Sequence, residues 1–150
     1  MKNYTLLIFA LFMTLQSNAF ASDNYVNKKS PYSVDKTLDR LEKVLKSKGI
    51  TIFTRVDHSA GAKKAGIAMS DTKLLIFGNP KMGTPLMNEN KMMALDLPMK
   101  ALAWKDHNGQ VWLSYLKPSA LQQRHKLQNQ AIIKKMTGAL NALTNKALQK

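Results

Sequence analysis

The chain has 150 residues, of which 45% are hydrophobic, with 23 Lys and Arg against 9 Asp and Glu and no cysteine. This length predicts one domain with its own core, and the lack of cysteine excludes disulfides, thiolate metal sites and cysteine nucleophiles. The net charge of +14 predicts attraction to polyanions such as anionic lipid headgroups and acidic glycans.

The N-terminus has the features of a cleavable secretory signal peptide. Lys2 supplies a positive start, Leu6 to Leu15 form an apolar stretch, and Ala19-Phe20-Ala21 is a cleavage pattern. The stretch is well below the roughly twenty residues that cross a bilayer, so we do not expect a permanent span. We therefore predict a signal peptide over residues 1–21, cleavage after Ala21, a periplasmic or secreted protein, and no transmembrane segment after cleavage.

The mature chain is predicted to begin with a short leader before a single domain. Residues 22–31 are polar and aperiodic, which is typical of a flexible segment, and a first short strand is expected near Tyr32. Residues 32–150 contain no internal repeat and no Pro/Gly-rich linker. We therefore expect them to form one domain.

A helix followed directly by a strand opens this domain. Val34, Leu38, Leu41 and Leu45 recur at helical spacing, with Ser33 as the N-cap and Gly49 as the left-handed residue that ends the helix. Apolar and polar residues then alternate over residues 50–57, as in a half-buried strand.

The middle of the chain predicts two short helices around one strand. The small residues after Asp57 favour a short helix, and Lys73 to Phe77 favour a buried strand that ends at Gly78-Asn79-Pro80. Thr84-Pro85 has the pattern of an N-cap followed by a first helical residue, so a helix is expected from there to Asn90.

The last third predicts a hairpin and a terminal helix. Asn108-Gly109 separates two strand-like runs, over residues 99–105 and 110–116. After Pro118, apolar residues from Ile132 to Ala147 recur at helical spacing. The order predicts an α+β fold, signal peptide then β-α-β(3-4)-α, with a mostly antiparallel curved sheet and helices on one face.

Several motifs resemble the domain-of-unknown-function family 302. They are Asp57-His58 with the alanine-rich segment after it, the run from Leu75 to Thr84, Leu86-Met87, and Ala94-Leu95-Asp96-Leu97-Pro98 before a Trp-bearing hairpin. The resemblance covers roughly residues 31–117. It implies a TBP-like arrangement of strands and helices and association as a homodimer, and it carries no activity.

Asp57 and His58 are the one place where a carboxylate adjoins an imidazole. Such a pair at a strand end can perform acid/base chemistry, but adjacent strand residues point to opposite faces. The alternative is structural, with Asp57 capping the next helix and His58 making a hydrogen bond.

The turn from Gly78 to Thr84 is the second candidate site. Backbone amides, Asn79, Lys81 and the Thr84 hydroxyl can surround an anion at a helix N-terminus. The turn lacks the spacing of a phosphate-binding loop, so a purely structural turn is the alternative.

Other constellations point less clearly to a site. The nine methionines are potential Cu(I) ligands, but they lack close Met-x-Met spacing. Methionine also fills irregular cores. The three histidines have no paired spacing for zinc, so we expect no metal or cofactor. Residues after Asp106 carry seven Lys and Arg and no acid, which favours an anionic partner. Nucleic acid is not favoured as that partner, because an exported protein meets little of it.

Three functions are compatible with these features. The preferred one is a non-enzymatic periplasmic domain that binds a small or anionic ligand near Asp57, His58 and the turn from Gly78 to Thr84. The second is an interaction protein whose basic C-terminal helices dock on an anionic envelope surface or partner. The third is an enzyme that uses Asp57 and His58 as an acid/base pair.

Overall fold

Residues 24–150 are described by a computed structural model, and the predicted signal peptide lies outside them. Within this range the chain forms five strands, five α-helices and one 3-10 helix, so the predicted α+β class is confirmed. The elements are β1 Tyr25–Ser30, α1 Val34–Lys46, β2 Thr51–Asp57, α2 His58–Lys64, β3 Thr72–Gly78, α3 Pro80–Glu89, the 3-10 helix Lys91–Leu95, β4 Met99–Lys105, β5 Val111–Leu116, α4 Pro118–His125 and α5 Gln130–Leu148. No helix in residues 24–150 is long and apolar enough to cross a membrane.

The first helix forms as the sequence pattern predicts. Ser33 Oγ accepts a hydrogen bond from the Lys36 backbone N–H at 3.2 Å, which satisfies one of the free donors at the helix start. Gly49 adopts φ +66°, a conformation that other residues rarely tolerate, and β2 begins two residues later. The apolar stripe of α1 from Val34 to Leu45 is fully buried.

The five strands form one sheet in the order β1-β5-β4-β3-β2, in which every neighbouring pair is antiparallel. On β5, Val111, Leu113 and Tyr115 are buried, whereas Trp112 and Leu116 are only partly buried. The buried face packs against α1, and α1 packs against α5. One face of the sheet therefore supplies the core, as predicted, and the other retains partial exposure.

The segment predicted as a flexible leader, residues 22–31, contains a strand instead. β1 covers Tyr25–Ser30 and pairs along its whole length with β5. The strand is hard to recognise in the sequence because its residues are mostly polar. Polar residues are tolerated here because β1 is an edge strand and the Lys28 ammonium group donates hydrogen bonds to α5. Lys28 Nζ donates to Asn141 Oδ1 at 2.7 Å and to Thr144 Oγ1 at 2.8 Å. The prediction of a flexible leader was wrong for the described part of this segment.

The start of α3 also differs from the expectation. The sequence offers two pairs of a capping residue followed by proline, and the helix uses the first pair, Asn79-Pro80, rather than Thr84-Pro85. Asn79 Oδ1 accepts the Lys81 backbone N–H at 2.9 Å, so the earlier pair forms a complete cap. Pro85 then lies inside the helix.

Replacing Leu113 by Ala should lower the free energy of unfolding by about 2–5 kcal/mol, because it opens a cavity in a fully buried position. Leu102→Ala is the matched control on the neighbouring strand β4, since Leu102 pairs with Ser114 and lies on the other, partly exposed face. Urea denaturation of both variants measures the difference. Equal losses would contradict the assignment of the two faces.

Candidate functional site

The two predicted site segments lie at opposite ends of the β2–β3 hairpin. Thr51 pairs with Gly78 at one end, and Asp57 pairs with Lys73 at the other. At about 3.3 Å per residue, the five steps along β3 from Lys73 to Gly78 separate the ends by roughly 17 Å. The structure therefore does not bring Asp57 and His58 together with the turn from Gly78 to Thr84.

Asp57 serves as the N-cap of α2. Its Oδ1 accepts hydrogen bonds from the Ser59 hydroxyl at 2.7 Å and the Ala60 backbone N–H at 2.8 Å. Its Oδ2 lies 3.2 Å from Lys73 Nζ. The hydrogen bond from Ser59, then the Ala60 amide and Lys73, lower the pKa of Asp57 to about 2. A carboxylate held so firmly in its ionised form is a poor general base near neutral pH.

His58 does not share a site with this carboxylate. Its side chain is exposed, and within the described residues no hydrogen bond joins it to Asp57. The geometry gives Asp57 the structural role that the sequence offered as the alternative. It gives no support to an acid/base pair.

The start of α3 has no free amides for an anion. Pro80 lacks an N–H, and the Lys81 amide donates to Asn79 Oδ1. The Met82 and Gly83 amides both donate to the Asn79 carbonyl, at 2.9 and 3.0 Å. An anion bound in this turn would have to displace these bonds, so the turn is not a preformed anion cradle.

The same turn forms one wall of an apolar cavity of about 320 Å³. Gly78, Asn79 and Thr84 line it, whereas Lys81 is exposed beside it and is not part of the wall. The other lining residues are Ile50, Phe53, Phe77, Pro80, Met82, Gly83, Met87, Leu97, Pro98, Met99, Met136, Ala139, Leu140 and Leu143. The lining residues come from four parts of the chain, which explains why no local motif indicates the cavity.

The cavity has a buried floor and an open side. Phe77, Met99 and Leu140 of the wall are buried, whereas Phe53 retains 55% exposure and therefore lies at the mouth. A β-bulge explains this position, because the β2–β3 register shifts between Ile52 and Thr54 and leaves Phe53 as the extra residue. Its ring packs on Gly78, where an added Cβ would meet the Phe53 ring at 3.3 Å. The bulge thus places an aromatic ring at the entrance.

A partly buried cluster of Asp96, Arg124 and His125 lies next to the wall segment at Leu97. Asp96 Oδ2 lies 2.6 Å from His125 Nε2, and Asp96 Oδ1 accepts a hydrogen bond from Arg124 at 2.8 Å. Burial opposes ionisation of Asp96, but the hydrogen bonds from His125 and Arg124 outweigh it and hold the pKa of Asp96 below its ordinary value. Sequence reasoning missed this pair, because 29 residues separate the partners and neither has a motif pointing to the other.

Comparisons with known proteins agree with this architecture. Residues 26–143 match the family described as "Domain of unknown function DUF302". A crystal structure of an uncharacterized conserved DUF302 protein from Bacillus stearothermophilus aligns with a TM-score of 0.75 at 20% identity. The alignment covers 83% of this chain and 98% of that one, so the two share a fold.

Curated relatives from Brucella are longer than this chain. A protein of Brucella suis biovar 1 named "Fluoride-specific ion channel FluC 1" is 45% identical over 124 residues, which are 81% of this chain and 49% of that protein. A protein of Brucella melitensis biotype 1 named "Fluoride-specific ion channel FluC 2" shows 45% identity over 46% of its length. The chain therefore spans about half the length of the curated relatives it matches.

The acid stability of the protein should depend on Asp57. A carboxyl group whose pKa falls from 3.8 to about 2 on folding stabilises the fold above pH 4, and this contribution is lost as pH falls through 2. Asp57→Asn should therefore flatten the loss of stability between pH 4 and pH 2, measured by urea denaturation. His58→Ala, the adjacent control, should lose as much stability as the unaltered protein, and an equal loss in Asp57→Asn would contradict the capping role.

Proposed function

We propose that this chain, which belongs to the DUF302 family, is a non-enzymatic binding domain that holds a small apolar ligand in the cavity between β3, α3 and α5. The observation that carries this proposal is the composition of the cavity wall. Among its residues only Asn79 and Thr84 have polar side chains, and both are uncharged.

The size and depth of the cavity support a binding role. A volume of about 320 Å³ falls at the lower end of the range of roughly 300–1,000 Å³ typical of small-molecule sites. Its buried floor lets a ligand lose most of its contact with water, which is the main source of affinity for apolar groups. No carboxylate, imidazole or amine lines the wall, so the lining offers no general acid or base.

This proposal narrows the expectation of a small or anionic ligand. The backbone amides at the start of α3 already donate hydrogen bonds within the turn, and Asp57 lies at the far end of the hairpin. The cavity has a mainly apolar lining, so it favours an apolar ligand. Together with the predicted signal peptide, this describes an envelope protein that carries or senses an apolar compound.

Filling the cavity tests the proposal. Ala139 lines the cavity, so Ala139→Phe should place a ring in the space that the ligand occupies. We expect the full domain to bind the neutral fluorescent probe N-phenylnaphthylamine saturably, and Ala139→Phe to weaken binding about tenfold or more, a loss of about 1.4 kcal/mol.

The matched control is Ala142→Phe, the same change at an exposed position of the same helix. It should bind the probe as tightly as the unaltered protein. The proposal fails if the unaltered protein shows no saturable binding, or if both variants bind equally well. Thermal unfolding of each variant confirms that the comparison is made on folded protein.

A second candidate function is that of a partner to a membrane channel. Its support is the match to Brucella proteins named as fluoride-specific ion channels, of which this domain accounts for about half the length. A domain joined to a channel in one protein can act beside a separate channel in another. The exposed lysines of α5, Lys134, Lys135 and Lys146, would suit the anionic surface near a membrane.

Deleting the gene in its own organism tests this candidate. If the chain assists a fluoride channel, the deletion should lower the fluoride concentration that stops growth, with tolerance to chloride unchanged. Re-expression of the full chain should restore tolerance. Equal fluoride tolerance with and without the gene would exclude this role. If the Ala139→Phe variant also restores fluoride tolerance, the role does not depend on ligand binding in the cavity.

A further inference from the structure

We propose that the ligand of the cavity is an anionic amphiphile, with its alkyl chain inside and a carboxylate, phosphate or sulfate headgroup at the mouth. This inference rests on the proposed binding of an apolar ligand and adds the class of that ligand. The class of the ligand is inferred from the charged side chains around the cavity, which are not among its lining residues.

Every charged residue in the segments that build the cavity wall is a lysine. These segments are residues 47–54, 77–88, 97–100 and 130–148, and together they contain no Asp or Glu. Their lysines are Lys48, Lys81, Lys100, Lys134, Lys135 and Lys146. Lys100 donates to the carbonyl oxygens of Asp96 and Pro98. Lys81 and Lys135 are exposed and adjoin lining residues, and we call these two lysines the positive rim.

The acidic residues that border these segments along the chain pair with groups other than the rim lysines. Asp96 is held by Arg124 and His125. Glu89 follows the α3 wall segment, and its carboxylate accepts the backbone N–H of Gln128 at 2.8 Å. Both carboxylates thus have partners other than Lys81 and Lys135.

Two of the lysines flank the cavity from different helices. Lys81 lies in the first turn of α3 between the lining residues Pro80 and Met82, and its side chain is exposed. Lys135 lies four residues before Ala139 on α5, so both are on the same side of that helix. A headgroup leaving the mouth near Thr84 would meet these ammonium groups in solvent, without needing the occupied amides of the α3 turn.

The wall itself suits a flexible chain. Four methionines line it, Met82, Met87, Met99 and Met136, and their unbranched side chains adapt to ligands of varied shape. The absence of charge inside the wall and the lysines outside it match the two parts of an amphiphile. An uncharged apolar compound would use the interior and leave the rim without a role.

Three ligands with the same chain and different headgroups test the inference, namely dodecanoate, dodecanol and dodecyltrimethylammonium. Each is titrated below its micelle concentration against the full domain carrying N-phenylnaphthylamine. We expect dodecanoate to displace the probe at the lowest concentration and the ammonium compound at the highest. Affinity should rise about fourfold per added methylene along the carboxylate series until the chain outgrows the cavity.

Charge variants locate the headgroup. Lys81→Gln combined with Lys135→Gln should weaken dodecanoate binding by about two- to fivefold per lysine and leave dodecanol unchanged. Lys63→Gln combined with Lys64→Gln is the matched control, because it removes the same charge from α2, at the far end of the hairpin. That control should keep the preference for dodecanoate.

The outcomes separate this inference from the proposed function. If none of the three alkyl compounds displaces the probe, the apolar site itself is wrong. If all three bind equally, or if both double variants lose the preference alike, the site stands and the anionic headgroup is wrong. Titration with lysophosphatidylglycerol identifies the source of the ligand. Tighter binding than that of dodecanoate indicates a phospholipid, and weaker binding indicates a free fatty acid.

Discussion

Burial of one sheet face beneath α1 and α5 is the constraint on which the domain depends. The chain has no cysteine for a covalent crosslink, and its ion pairs lie largely at the surface. Exposed pairs such as Arg55 with Asp39 contribute about 0–1 kcal/mol each. Burial of one leucine contributes about 1.5–3 kcal/mol, and Leu38, Leu41 and Leu113 are all fully buried. Packing therefore decides the fold, and the cavity forms where that packing is incomplete.

The elements that were predicted correctly carry their signals within a few residues. The stripe of α1 and its Ser33 cap needed no knowledge of the rest of the chain, and Gly109, at φ +80°, ends the predicted turn between β4 and β5. β1 was missed for the opposite reason. Its residues Asn27 and Lys28 are poor strand formers, and they form a strand because β5 offers an open edge and α5 offers oxygens to the lysine.

The structure separates the two segments of the predicted site, and the topology explains why. Strand ends that look equivalent in sequence lie at opposite edges of an antiparallel hairpin, so Asp57 and Gly78 are separated by the length of β2. Gly78, Asn79 and Thr84 do reach a cavity, but its character comes from distant residues such as Ile50 and Met136. A local motif can place a turn, whereas the composition of a cavity needs the full packing arrangement.

The cavity also changes the meaning of the methionine content. Four of the nine methionines serve as its wall, where a flexible thioether side chain fills space without fixing a shape. Such a wall distinguishes poorly between apolar groups of similar size, because each methylene adds a similar increment of affinity whatever its neighbours. Selectivity must then arise where the wall ends, among the Phe53 ring, the Thr84 hydroxyl and the lysines outside. The apolar interior thus sets the affinity through desolvation of the ligand, and the charges at the mouth set the discrimination between ligands.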